Sequence, residues 1–419
     1  MIIKTPSKQV NAKVTLGGSK SYTNRALFIA ALAGGTSIIK NASLSNDTKI
    51  FLRALKKLGF EVAVSKDTVK IKGGTILNKK AKIDAHDAGT AFRFLTALCA
   101  LSQKEIILTG TERMQQRPIG QLADALNKLG ANISYINKEG YPPLKINKGL
   151  LAGGEVDVDG SVSSQFISAL LMLGPALKKG VTVNVKGKLV SASYIDMTLS
   201  VMKQFGAKVT NKNYKKITVC PGGYKPAKYS VECDVSGASY FWAIGALNGK
   251  VRVNGVNVKS AQGDIKFADI LAKMGAKVTK NIKGSYIEVA RAKELKAVNV
   301  NMELMPDTAQ TLAVLAAFAK GKTKITGLST LRVKETDRLE ALKNELAKMG
   351  VKTKTGKDFI EIYGGGAVSN AVIKTYKDHR MAMSFAVASA RVAGMQIEEP
   401  EVVKKSFPDF WQKLKQMGF

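Results

Sequence analysis

Six stretches of this chain repeat one pattern: LRALKKLGFEV, LADALNKLGANI, LSVMKQFGAKV, ADILAKMGAKV, LKNELAKMGVK and FWQKLKQMGF. Their glycines, Gly59, Gly130, Gly206, Gly275, Gly350 and Gly418, are spaced by 71, 76, 69, 75 and 68 residues. A period of that kind commits a chain to building one supersecondary unit over and over. Each stretch reads as an amphipathic helix closed by a glycine suited to a left-handed C-terminal cap. A β-like stretch with a turn at its centre follows most of them, as in KVTKNIKGSYIEV.

Ahead of each amphipathic helix runs an apolar one that opens on small or polar residues. These read GGSKSYTNRALFIAAL, DAGTAFRFLTALCAL, SVSSQFISALLML, DVSGASYFWAIGAL, MPDTAQTLAVLAAF and DHRMAMSFAVASA. A helix apolar on all sides is buried. Each repeat is therefore an α/β unit with one interior helix, one surface helix and some strands. A chain of 419 residues exceeds what one core supports, so three repeats per domain and two domains are expected. The boundary falls near the strand-like segment ending at Asp234. The sixth repeat stops at its glycine, and the N-terminal MIIKTP is expected to supply its missing strands. Both termini then belong to one domain, made of residues 1–15 with 230–419, and the other is 16–229.

Charge is the unusual part of the composition: 65 Lys and Arg against 32 Asp and Glu give +33. Such an excess suits anionic partners. The lysines are scattered, so much of it reads as a solvated basic surface. Three cysteines, Cys99, Cys220 and Cys233, have neither metal-like nor redox spacing, and their odd number argues against a disulfide framework. Two distant histidines, His86 and His379, argue against a His-based metal site. No stretch has the length and apolarity of a membrane span, and MIIKTPSKQV lacks the apolar core of a signal peptide. A soluble, cytoplasmic protein is expected.

The starts of the interior helices carry the functional signal. A helix N-terminus offers N–H donors to an anion, but its dipole contributes only about 0.3–1 kcal/mol. Hydrogen bonds to charged groups contribute roughly 1.5–3 kcal/mol each, so side chains decide the ligand. The first start offers Lys20, Ser21 and Arg25, and the second Gly89, Thr90 and Arg93. The third offers Ser163, Ser164 and Gln165, the fifth Asp307, the sixth His379 and Arg380. The fourth, SGASYFW, has no charge in the helix and reads as structural. Ser, Thr and Asp are ordinary caps. Cations entering three buried helices are not, because a charge near a core needs a counterpart. Lys20 in particular is explained by neither burial nor capping. In LRVKETDRLEAL, Lys334 and Arg338 are four apart, on one face if helical. Their repulsion would be relieved by an anion, or by Glu335 and Asp337. ERMQQRPIG repeats the spacing with Arg113 and Arg117.

GSKSYTNRAL, AGTAFRF, RMQQRPIG, SSQFISALL, SYIDMTL, RVKETDRL, DHRMAM and KKSFPDF resemble, in order and over nearly the whole chain, the motifs of the 5-enolpyruvylshikimate-3-phosphate (EPSP) synthase family. One motif carries little weight, whereas eight in order do not arise by chance. The resemblance implies a two-domain enolpyruvyl transferase fold, each domain three βαβαββ repeats whose buried parallel helices point at the interdomain cleft. It implies transfer of the enolpyruvyl group of phosphoenolpyruvate to the 5-hydroxyl of shikimate 3-phosphate, by addition and elimination, without metal or organic cofactor. Carried over by motif, Ser21, Arg25, Ser163, Ser164, Gln165, Ser191, Asp307 and Lys334 hold shikimate 3-phosphate, and Lys20 touches both substrates. Gly89, Arg117, Gln165, Arg338, Arg380 and Lys405 hold phosphoenolpyruvate. Asp307 accepts the hydroxyl proton and Glu335 protonates the methylene carbon, with Lys20 the third catalytic group. Thr330, Phe94 and Asp87 depart from the family's common asparagine, proline and asparagine. A monomer is expected.

Two other readings compete. The enolpyruvyl transferase acting on UDP-N-acetylglucosamine shares the fold. It typically has Lys-Asn at the first helix start and often a reactive cysteine in the loop matching TERMQQRPIG; this chain has Lys-Ser and no cysteine there. A basic nucleic-acid-binding protein fits the charge, but no such motif occurs and aromatic residues do not interleave the basic ones.

Overall fold

The computed structural model describes residues 1–74 and 77–419. Its contacts divide the chain into two compact units, Gly18–Val231, and Met1–Gly17 together with Glu232–Phe419.

The unit 18–231 alternates interior and surface helices. They are α1 (Lys20–Leu32) and α2 (Asn46–Lys57), α3 (Gly89–Cys99) and α4 (Gly120–Lys128), α5 (Ser164–Leu173) and α6 (Ser193–Gln204). α1, α3 and α5 pack on one another, as their all-round apolar sequence requires, and α1 is buried from Tyr22 through Ala31. The surface helices bury one face only: α2 packs Ile50, Phe51, Ala54 and Leu55 inward and ends on Lys56 and Lys57, which suit its negative C-terminal end.

Each repeat adds a four-stranded sheet of constant topology. In the second, Ala81–Asp84 runs parallel to Ile106–Thr109, and the hairpin Asn132–Tyr135 and Leu144–Asn147 joins antiparallel. The third repeats this with Gly154–Asp159, Val181–Lys186 and the hairpin strands Val209–Lys212 and Lys216–Val219. The first takes its outer strand, Lys228–Ser230, from the end of the unit, parallel to Gly35–Lys40. The order along the chain is therefore βαβαββ.

The other unit follows the same plan with α7 (Val235–Asn248) and α8 (Phe267–Lys273), α9 (Ala309–Ala317) and α10 (Arg338–Lys348), α11 (His379–Ala386) and α12 (Phe410–Gln416). α9 packs against both α7 and α11. The outer strand of its first sheet is the N-terminal Val10–Thr15, parallel to Gly249–Asn254 over all six residues. Here the structure differs from the expectation for MIIKTP. The sixth sheet has two strands, Val372–Ile373 and Gln396–Ile397, and the N-terminus adds only an antiparallel bridge from Ile2 to Gln396. Residues 10–15 complete the fourth sheet, because that is where a parallel edge lacks its partner.

The six repeat glycines all hold φ between +78° and +104°, the left-handed cap their position demands. Among the described residues no helix is long and apolar enough to cross a membrane.

Candidate active site

α1 opens with Ser19, whose hydroxyl accepts from the Tyr22 N–H. Lys20 follows, with Nζ 2.8 Å from Oδ2 of Asp47, a carboxylate buried in the first turn of α2. Neither burial nor capping accounts for Lys20, but an ion pair does in part: its partner lies 27 residues on. Arg25 is 1% exposed. Its Nε donates to Thr198 Oγ1 at 2.8 Å, Nη1 to the Ser21 carbonyl at 2.9 Å, and Nη2 to the Tyr194 carbonyl at 3.1 Å and Ser168 Oγ at 3.5 Å. These partners are neutral, and burial pushes the guanidinium down to about 10, so it remains a cation at neutral pH. A buried cation so placed is stabilised by an anion nearby. Phe94 supports it, with its ring centre 5.5 Å from the guanidinium carbon and 6.0 Å from that of Phe28.

At the second helix start, Gly89 makes room for Arg117. A Cβ at Gly89 would lie 2.6 Å from Nη1 and 2.8 Å from Nη2 of Arg117. Arg117 is buried in the loop behind the single helical turn Glu112–Gln115. Arg93 pins that loop through Nη2 to the Pro118 carbonyl at 2.9 Å and Nη1 to Met114 Sδ at 3.3 Å. The second and third starts are joined by Gln165 Nε2 on Thr90 Oγ1 at 3.3 Å. Ser163 caps α5, and Ser164 is buried in its first turn. Ser191 sits at φ +54° just before α6, and its carbonyl accepts from the Tyr194 N–H.

In the other unit, Asp307 lies in the turn Pro306–Thr308 that leads into α9. Its Oδ2 accepts from Arg380 Nη2 at 2.8 Å, and its Oδ1 from Arg338 Nη1 at 3.4 Å. Arg338, 1% exposed, also donates from Nε to Asp378 Oδ2 at 2.7 Å and from Nη2 to Glu335 Oε2 at 2.9 Å. Burial opposes its charge, but Asp378, Glu335 and Asp307 outweigh that and raise its affinity for the proton. Arg380 Nη1 reaches the Asp307 carbonyl at 3.1 Å and the Tyr240 hydroxyl at 3.3 Å. Burial, the main cause, holds that phenol up at about 12. Lys405 is buried at the end of the turn Pro400–Lys405, which packs on α11.

Lys334 and Arg338 do not share a helix face: residues 334–336 form a bend, and α10 begins at Arg338 with Asp337 as its cap. The fourth helix start carries polar contacts as well. Tyr240 of α7 meets Arg380, and Ser236 donates to the buried carboxyl of Asp264. Sequence reasoning missed Asp47, Asp378 and Asp264. Only Asp378 had a visible signal, the cap position in DHRMAM, and its side chain does accept from the Arg380 N–H at 2.8 Å.

Among the described residues no three His, Cys, Asp or Glu side chains are grouped to hold a metal ion. Cys99 and Cys233 are buried, and that burial pushes both thiols up to about 12, so neither is a ready nucleophile.

Five βαβαββ units and a sixth that lacks its closing hairpin among the described residues, with arginine, lysine and carboxylate side chains gathered at the starts of buried helices, define a two-unit α/β enzyme class built to handle anions. The comparisons sharpen this. The family model for EPSP synthase (3-phosphoshikimate 1-carboxyvinyltransferase) matches residues 4–414. The 3-phosphoshikimate 1-carboxyvinyltransferase of Sulfurovum sp. (strain NBC37-1) is 45% identical, covering 99% of this chain and 98% of its own. That of Salmonella schwarzengrund is 44% identical, over 99% and 98%. A structure of EPSP synthase from Acinetobacter baumannii superposes with a TM-score of 0.84 at 27% identity, covering 100% of this chain and 98% of that one. The chain belongs to the EPSP synthase family.

Proposed function

We propose that this chain transfers the enolpyruvyl group of phosphoenolpyruvate to the 5-hydroxyl of shikimate 3-phosphate and releases phosphate. The observation that carries the reading is the Asp307 carboxylate held between Arg338 and Arg380, in a chain of this family. Two anionic substrates must meet despite their repulsion, so guanidinium and ammonium groups have to outnumber their charges locally. In this reading Lys20, Gly89, Arg117, Gln165, Arg338, Arg380 and Lys405 hold phosphoenolpyruvate. Lys20, Ser21, Arg25, Ser163, Ser164, Gln165, Ser191, Asp307 and Lys334 hold shikimate 3-phosphate.

Asp307 takes the 5-hydroxyl proton as that oxygen bonds to the substituted carbon of phosphoenolpyruvate. Glu335 gives a proton to the methylene carbon, which becomes a methyl group in a tetrahedral intermediate. In the second step Glu335, now a carboxylate, takes back a methyl proton as the C–O bond to phosphate breaks and the double bond returns, and the proton held by Asp307 leaves with the phosphate. Since Glu335 now accepts from Arg338, that guanidinium has to exchange the carboxylate for the incoming anion before Glu335 acts as an acid.

The same reading has the enzyme work as a monomer in the cytoplasm. Phosphate release assayed with phosphoenolpyruvate and shikimate 3-phosphate tests the activity, and UDP-N-acetylglucosamine in its place is the control. Turnover with the first acceptor and none with the second is expected. The reverse would overturn the reading.

A further inference from the structure

Asp264 is buried in the helical turn Gly263–Lys266, which packs against α7, α8 and the turn Pro306–Thr308 that carries Asp307. It accepts from the hydroxyl of Ser236, in the first turn of α7. Its carboxyl interacts electrostatically with Asp307 and Arg380, and with Asp234 at the cap of α7. Tyr240 of α7 is on Arg380, while Asp269 of α8 is turned to Lys280 at 2.6 Å. Lys266 lies on its own turn. Asp264 is therefore a second carboxyl beside the Asp307–Arg380 pair, on a turn packed against the one that carries Asp307. Neither the mechanism nor the motifs give it a task.

A carboxyl in that place has two states with opposite effects. Protonated, it leaves the positive charge of Arg380 to Asp307 and to whatever anion approaches. Ionised, it adds a buried negative charge to a cluster that has to bind an anion, and charges interact strongly where water is scarce. We propose that Asp264 is a positioning residue whose own charge sets how firmly the Arg380–Asp307 pair holds the anionic substrate, so that proton loss from Asp264 weakens phosphoenolpyruvate binding. The inference rests on the assignment of Arg380 to that substrate made above.

Its burial favours the neutral acid. Burial, the main cause, with Asp307 adding to it, raises Asp264 from the usual carboxylate range to about 7, against the opposing pull of Ser236. A carboxylic acid so raised is neutral below about 7 and negative above. The switch therefore lies inside the range in which such an enzyme is assayed, and affinity falls as pH rises.

The test is the KM for phosphoenolpyruvate measured from pH 5.5 to 8.5 in the wild type, Asp264→Asn and Ser236→Ala. The substrate's own phosphate titrates near pH 6, identically in all three, so differences between proteins isolate Asp264. Relative to Asp264→Asn, the wild-type KM should rise about three- to tenfold across pH 7, the scale of one nearby buried charge, with kcat changing less. Ser236→Ala removes the donor that favours the ionised form, so its inflection should move to higher pH. It also serves if Asp264→Asn does not fold. A folded Asp264→Asn that keeps the wild-type inflection, or a Ser236→Ala with no displacement, overturns the proposal while leaving the enzyme's activity established. A wild type inert towards the substrate pair overturns the functional reading and this inference with it.

Discussion

Lys20 has two claims on it, and they can be separated by mutation. Its ammonium neutralises Asp47, whose side chain is 3% exposed, and in the functional reading it also meets both substrates. Lys20→Met should abolish turnover and also destabilise the fold. The cost should be on the order of 2–3 kcal/mol, below the 3–5 typical of breaking a buried pair, since Asp47 also sits at the positive end of α2. Adding Asp47→Asn should recover much of that stability and none of the activity, which urea denaturation and phosphate release measure side by side. Lys20 was legible as an anomaly at a buried helix start. Asp47 was not, because nothing local to NDTKIF announces that its carboxylate faces another helix. Gly89 gives a second test. Gly89→Ala should displace the Arg117 guanidinium it touches and raise the KM for phosphoenolpyruvate about tenfold, since hydrogen bonds to a charged group contribute roughly 1.5–3 kcal/mol. The melting temperature should stay near wild type, because alanine suits the first turn of a helix.

At the level of elements, the starts of α10 and α11 are tied by one ion pair. Arg338 is the first residue of α10, and Asp378 caps α11 while accepting twice from Arg338, at 2.7 and 3.3 Å. Asp378→Ala removes a cap, which contributes about 1 kcal/mol, and the nearest counter-charge of a fully buried guanidinium. Arg338 keeps Glu335 and Asp307, so the expected loss is about 3 kcal/mol, read from the urea midpoint. Activity should fall further than stability explains, because Arg338 then draws Asp307 and Glu335 towards itself. The helices themselves were legible in the sequence: all-round apolarity marked the interior ones, and a glycine in the left-handed region closed each surface one. Whether Lys334 lies on a helix, left conditional in the sequence, was readable there. Asp337 accepts from the Leu339 and Glu340 N–H groups, and DRLE is the Asp-x-x-Glu pattern of a helix start. The sheet order was less legible, since parallel edges are filled from distant parts of the chain.

Over the whole molecule, one unit is a continuous run and the other is made of two pieces. Deleting residues 1–15 removes the strand paired with Gly249–Asn254 and the buried side chains of Val10 and Val14. Hydrogen exchange should then rise along Gly249–Asn254 and Tyr286–Ala290 and stay unchanged in 18–231; loss of protection throughout both units would contradict that independence. The arrangement also dictates an order of synthesis. The continuous unit is complete when Val231 has left the ribosome, and it can fold there at once. Val10 has by then been waiting for a partner that does not exist: Gly249 is translated 239 residues after it. At roughly 5–20 residues per second that is a delay of about 10–50 s, during which a short apolar strand trails from a finished neighbour. A ribosome stalled anywhere in the final repeat would carry one folded unit and one unfinished one, and the nascent chain would acquire its Arg338–Asp378 pair only after residue 378 emerged.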